Sequence, residues 1–209
     1  MDLKDQRIDY TKFELMEDHA GSDPFALFKR WFNEASTIEI EPNVMIISTS
    51  HNSQPETRVV LLKELVDEQF VFYTNYNSRK GQAIQDNPHV SLLFFWQQHQ
   101  RQVRINGIAT KVPEQQSDDY FKSRPIESQI GAIASTQSSI LEDRSQLELR
   151  MEELKNYYKF HPIERPAHWG GYQVKPMHFE FWQGRTSRLH DRICFDNESG
   201  SWNRKRLYP

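Results

Sequence analysis

A chain of 209 residues with 37% hydrophobic and 12% aromatic content is long enough to close a core without staples, and too rich in Phe, Tyr and Trp to stay unfolded. Lys and Arg number 26 against 29 Asp and Glu, a formal net charge of -3, so no global positive field exists to hold nucleic acid or an anionic membrane. The single cysteine, Cys194, excludes an intrachain disulfide framework and Cys-based zinc clusters, and fits a reducing compartment, so a cytoplasmic location is expected.

The opening MDLKDQRIDY lacks the basic-then-apolar pattern of a signal peptide, and the longest apolar runs, Val44 to Ile47 and Leu92 to Trp96, are far too short to span a bilayer. Residues 1 to 21 carry mixed charge with little periodicity, which predicts a mobile arm ahead of one domain over 22 to 209. Ser22 and Asp23 are capping residues, Pro24 suits a first helical position, and Phe25, Phe28, Phe32 and Ala35 recur at helical spacing. From 43 to 110 the pattern turns to short β-rich runs at 44–50, 58–63, 69–74, 90–96 and 102–110, with a turn at 51–55 and a short helix over 78–86. A helix over 113–123 is stopped by Pro125, and a longer one follows in which Ile140, Leu147, Met151, Leu154 and Tyr158 keep helical spacing, with Ser139 and Glu142 at capping-box distance. The tail returns to strand character at 178–182 and around 192–195. The pattern predicts one α+β domain whose strands form an antiparallel barrel or sandwich.

With eight glycines the chain has no G-x-G-x-x-G, Walker or G-x-S-x-G turn, and its eight histidines form no H-E-x-x-H, so no metal site is expected. Three local basic clusters stand out. In Arg188-Leu-His-Asp-Arg192, an extended backbone would put Arg188, His190 and Arg192 on one face, which suits an anionic ligand or a solvent-facing edge strand. Tyr120, Arg124 and Ser128 are spaced four and four and offer a phenol, a guanidinium and a hydroxyl to phosphate oxygens, although an ordinary helix end has the same pattern. Arg58 and Lys63 lie on opposite faces of a regular strand, while Arg79 and Lys80 follow Ser78 at a helix start, where backbone N–H groups also favour a phosphate, although a solvated turn has the same pattern. Two phosphorylated ligands would account for all three clusters.

In order along the chain, RVVLLK (58–63), FYTNYNSRKG (72–81), RQVR (101–104), YFKSRP (120–125), SQIGA (128–132), QSS (137–139), HWGG (168–171) and FEFWQGRTSRLHDR (179–192) resemble the pyridoxine/pyridoxamine 5'-phosphate oxidase family. The resemblance implies an FMN-binding split β-barrel, active as a homodimer with FMN sites at the interface. It implies oxidation of pyridoxine 5'-phosphate or pyridoxamine 5'-phosphate to pyridoxal 5'-phosphate, with hydride passing from C4' to flavin N5 and O2 reduced to H2O2. By the same resemblance Arg58, Val59, Val60, Leu61, Leu62, Lys63, Tyr73, Thr74, Arg79, Lys80, Gln102, Gln137, Ser138, Trp182 and Arg192 contact FMN. Lys63, Tyr120, Arg124 and Ser128 hold the substrate phosphate, Arg188, Leu189 and His190 meet the pyridine ring with Arg188 and His190 as catalytic residues, and Arg7 and Tyr10 are lid contacts. Arg7-Ile-Asp-Tyr10 departs from the family's Arg-Arg-Glu-Tyr by losing the second basic residue. A split-barrel flavoenzyme with another substrate and a non-catalytic flavin or pyridoxal-phosphate binding protein are the alternatives.

Overall fold

The computed structural model describes residues 1–5 and 8–209. Asp23 caps the N-terminus of α2 (Pro24–Ala35) by accepting the Phe25 N–H at 2.8 Å, and Pro24 takes the first position, where a missing N–H costs nothing. One face of α2 is buried against the sheet. Phe25 meets Phe179 with ring centroids 5.1 Å apart, Phe28 meets Phe70 at 4.9 Å and Phe94 at 5.1 Å, and Trp31 meets Phe181 at 5.3 Å. These edge-on pairs are the geometry aromatic quadrupoles favour, and each fully buried ring contributes about 1.5–3 kcal/mol of transfer free energy.

The strands are β1 (Val44–His51), β2 (Gln54–Leu61), β3 (Glu64–Val66), β4 (Gln69–Asn75), β5 (His89–Trp96), β6 (Arg101–Lys111), β7 (Trp169–Gln183), β8 (Asp191–Glu198) and β9 (Ser201–Leu207). All pairings are antiparallel, in the order β2-β1-β5-β6-β7-β4-β3, with β8 added to β7 and β9 to β8. The sheet does not close. It forks at β7, whose first half pairs with β4 (Trp169 to Val174) and whose second half pairs with β8 (His178 to Gln183), while β6 runs along both halves. A register shift at Asn106/Gly107 gives the bend at the fork. Between strands lie α3 (Arg79–Asp86), α4 (Glu114–Ser123), α5 (Ile126–Ala134) and α6 (Arg144–Tyr157). This is the expected α+β split barrel.

Four local expectations change. The arm is not free to residue 21: α1 (Glu17–Ala20) forms, Leu15 is buried, its N–H donates to Asp191 at 3.0 Å, and its carbonyl accepts from Arg206 at 2.7 Å. The turn expected at 51–55 contracts to Asn52 and Ser53, whose φ values of 49° and 62° make a two-residue hairpin, so β2 begins at Gln54. The long helix starts at Arg144 under an Asp143 cap that accepts the Ser145 N–H at 2.7 Å, leaving Ser139, Ile140 and Glu142 outside it. Residues 188–192 are not extended throughout: Thr186–Arg188 is a 3-10 turn with Ser187 and Arg188 at φ 55° and 61°, so strand parity does not align Arg188, His190 and Arg192.

Candidate active site

Pro125 forces the residue before it out of the helical region, so α4 ends at Ser123 and Arg124 is extended at φ -74°, ψ 151°. Pro125 then caps α5, and its carbonyl accepts the Ser128 N–H at 2.8 Å. The break brings Tyr120, Arg124 and Ser128 to one cavity instead of leaving them on a straight helix face. That cavity has a volume of about 610 Å³ and is also lined by Val59, Val60, Leu61, Lys63, Tyr73, Thr74, Lys80, Gln137 and Trp169. Eleven of the residues expected at the two ligands thus line one cavity.

Its wall is aromatic. Tyr73 and Tyr120 stack with centroids 3.7 Å apart, and Trp169 lies parallel to Tyr120 at 6.1 Å. The Tyr73 hydroxyl donates to Glu64 at 2.8 Å, and Gln116 donates to the other oxygen of that carboxylate at 3.1 Å. Burial and the Glu64 charge hold the Tyr73 phenol protonated, with its pKa above the usual tyrosine range. The ring's tight seat explains Gly171, where a Cβ would sit 2.8 Å from Tyr73 Cε1.

Three cations in the cavity, Lys63, Lys80 and Arg124, lack carboxylate partners among the described residues, and two of them are held by identifiable groups. Lys80 is buried at the start of α3, where Ser78 caps the helix, and its ammonium donates to Thr74 at 2.6 Å, Ser78 at 3.0 Å and Gln137 at 3.3 Å, all neutral oxygens. Burial, with repulsion from Arg58, lowers its pKa to about 8. The Arg124 guanidinium lies 4.6 Å over the Trp169 ring, and its Nη1 is buried without a hydrogen-bond partner. Desolvation by burial pulls its pKa down from the arginine value. A buried positive charge that meets only neutral groups is costly unless an anion completes it.

The remaining expected residues lie elsewhere. Arg58 donates to Thr49 at 2.9 Å and Glu56 at 2.5 Å, Arg79 reaches a neighbouring cavity with His51 and Gln82, and the Ser138 hydroxyl accepts the Arg79 N–H at 3.3 Å. Leu62 is buried in the core. Gln102, Trp182 and Arg192 are direct register partners across β6, β7 and β8, so they form one row on one sheet face, and Glu180 holds Arg192 at 2.9 Å. His190 packs against Trp182 at 4.5 Å, and Tyr10 approaches both rings at about 6 Å. Tyr10, Arg188 and His190 line a second cavity of about 580 Å³, which shares no lining residue with the first. Leu189 is exposed, and Arg7 lies outside the described residues. His190 Nδ1 accepts the Arg185 N–H at 3.0 Å, which places the ring proton on Nε2, and burial next to Arg188 lowers the imidazole pKa.

Residues 33–158 match the family described as pyridoxamine 5'-phosphate oxidase, and residues 169–209 match the pyridoxine 5'-phosphate oxidase C-terminal dimerisation region. The chain belongs to the pyridoxine/pyridoxamine 5'-phosphate oxidase family. It is 47% identical to the oxidase of that name from Leptospira biflexa, over 100% of this chain and 99% of the relative. The counterpart from Actinobacillus pleuropneumoniae serotype 7 is 48% identical over 100% of both chains. Among solved structures it resembles PhzG from Burkholderia lata 383, in complex with tetrahydrophenazine-1-carboxylic acid, with a TM-score of 0.86 and 28% identity over 92% of this chain and 95% of that one.

FMN, the cofactor of the oxidase family, fits the donors present: Lys80 with its neutral oxygen partners and the N-terminus of α3 suit a phosphate. Trp169, Glu64 and Gln116 were not among the residues expected at the site. Their contribution is made by contacts between distant segments, and the HWGG motif was the one signal pointing to Trp169.

Proposed function

We propose that the chain oxidises pyridoxine 5'-phosphate or pyridoxamine 5'-phosphate to pyridoxal 5'-phosphate, in the cytoplasm, as a homodimer whose active sites are shared between subunits. One observation carries this reading: a single cavity holds three cations, Lys63, Lys80 and Arg124, that pair with no carboxylate among the described residues, a surplus of positive charge that suits two phosphorylated ligands. When bound, FMN supplies the two-electron chemistry, taking hydride from the substrate C4' and passing the electrons to O2, which leaves as H2O2.

The chain's own groups supply position and charge. Lys80 and the α3 N-terminus hold the cofactor phosphate, with Arg58 close enough to add to the positive field. Lys63, Arg124, Tyr120 and Ser128 hold the substrate phosphate and so fix the distance of C4' from the flavin, the register on which hydride transfer depends. Arg188 steadies the substrate as charge redistributes at the ring. His190 acts as a hydrogen-bond donor through Nε2, because its Nδ1 lone pair is engaged by the Arg185 amide. Arg188 and His190 share no cavity with Arg124 in one chain, and both lie in the segment that matches the dimerisation region, so the partner subunit supplies them.

The test is anaerobic mixing of the FMN-loaded protein with pyridoxine 5'-phosphate, followed by admission of air. Loss of the oxidised flavin absorbance, its return with air, and formation of pyridoxal 5'-phosphate are expected. A flavin that stays oxidised with this substrate and with pyridoxamine 5'-phosphate would overturn the assignment of substrate.

A further inference from the structure

We propose that Trp169 is a positioning residue for Arg124, and that through it the chain selects phosphorylated over unphosphorylated substrate. The inference rests on the assignment of Arg124 to the substrate phosphate. An arginine that must bind an incoming anion has to be held in place without being neutralised, and a carboxylate partner would hold it but compete with the phosphate. An aromatic face attracts the guanidinium through its quadrupole and leaves the N–H edge free. That is the arrangement here: the guanidinium carbon lies 4.6 Å from the Trp169 ring centroid, Nη1 is buried with no partner, and no carboxylate pairs with Arg124 among the described residues.

Both members of the pair are fixed from behind. Gln129 donates to the Arg124 carbonyl at 2.8 Å and pins the backbone at the break between α4 and α5. Trp169 is 6% exposed, its backbone N–H donates to the Pro166 carbonyl at 2.9 Å, and its own backbone carbonyl accepts from Arg165 at 2.6 Å, with Arg165 held in turn by Asp118 at 2.6 Å. The edge-on contact with Phe121, centroids 5.3 Å apart, sets the plane of the indole. Trp169 therefore presents its face from a fixed backbone, and the Arg124 guanidinium lies over it, with the Phe121 ring farther off at 5.8 Å.

The test compares Trp169→Leu, Trp169→Phe, Arg124→Ala and the Trp169→Leu/Arg124→Ala double variant, each loaded with FMN. Two quantities are read: KM and kcat for pyridoxine 5'-phosphate, and the dissociation constants of pyridoxal 5'-phosphate and pyridoxal measured by flavin fluorescence. Trp169→Leu is expected to raise the KM for the phosphorylated substrate and the Kd for pyridoxal 5'-phosphate about tenfold, the scale of one partly desolvated cation–π contact, with kcat and pyridoxal binding kept. Trp169→Phe, which retains a smaller face, falls between Leu and the native residue, and the double variant is no weaker than Arg124→Ala alone. Equal loss for phosphorylated and unphosphorylated ligands, or unchanged discrimination in Trp169→Phe, would overturn the proposal; the Phe variant decides the matter if the Leu variant does not fold. Discrimination lost in Arg124→Ala but kept in both Trp169 variants overturns the role of Trp169 alone. Discrimination kept in Arg124→Ala overturns the phosphate assignment beneath it.

Discussion

Lys80 carries a charge in a place where charge is expensive, and in its proposed position at the cofactor phosphate this makes cofactor affinity sensitive to pH. Burial and the nearby Arg58 lower its pKa to about 8, from 10.5. Below pH 8 the ammonium is in place for a phosphate; above it the free protein has lost the proton and must regain it on binding. The expected Kd for FMN is flat from about pH 7 to 8 and then rises, by up to about tenfold per pH unit, since one proton is taken up. The apoprotein moves the other way: between pH 8 and 10.5 the unfolded chain binds the additional proton, so this group's contribution to stability increases with pH. Lys80→Met should weaken FMN by about 1.5–3 kcal/mol, the range for hydrogen bonds to a charged group, and remove the slope. Fluorescence titration of the apoprotein with FMN measures both effects, and a native Kd that stays level to pH 9.5 would remove Lys80 from the phosphate site.

At the scale of elements, the break between α4 and α5 is the device that turns a four-and-four spacing into a site. Pro125→Ala relieves the restriction on Arg124 and restores an N–H, so α4 can continue through residue 124 and carry the guanidinium away from the cavity. The fold should survive with a stability change of about 1 kcal/mol or less, while the KM for pyridoxine 5'-phosphate rises severalfold with kcat little changed. Thermal unfolding and steady-state rates check the two parts, and an unchanged KM would show that Arg124 does not depend on the break. Elements with strong local signals were legible in the sequence: the alternation of β1, the Asp23-Pro24 start of α2 and the Ser78 cap of α3 are all where their residues place them. Elements set by non-local pairing were less so. Gln54 and Pro55 fall in the turn expected at 51–55 and become β2 because β1 pairs with them, while Ser187 and Arg188 take positive φ with no glycine or asparagine to announce it. For the site, spacing and motif marked the cations, but the Trp169 platform is made across 45 residues of chain and has no local periodicity.

At the scale of the molecule, the residues proposed to act on the substrate fall into two groups that one chain keeps apart. Lys63, Tyr120, Arg124 and Ser128 line the cavity beside β4, whereas Arg188 and His190 line another with Tyr10, beyond the row of Gln102, Trp182 and Arg192. The fork at β7 produces this separation, because the half that pairs with β4 carries Trp169 to the first cavity and the half that pairs with β8 carries Trp182 against the His190 ring beside the second. A shared site makes complementation between subunits a decisive measurement. On the proposed arrangement, in which every site takes one residue from each chain, Arg124→Ala and Arg188→Ala homodimers each have both sites damaged. Unfolded together in equal amounts and refolded, half of the dimers are mixed, and each mixed dimer has one site with both arginines present and one with neither. Activity should therefore recover to about a quarter of the native value, from a starting level far below it in either variant alone. If all the catalytic residues acted within one chain, mixing would restore nothing, and the rate of the mixture would equal the mean of the two variants.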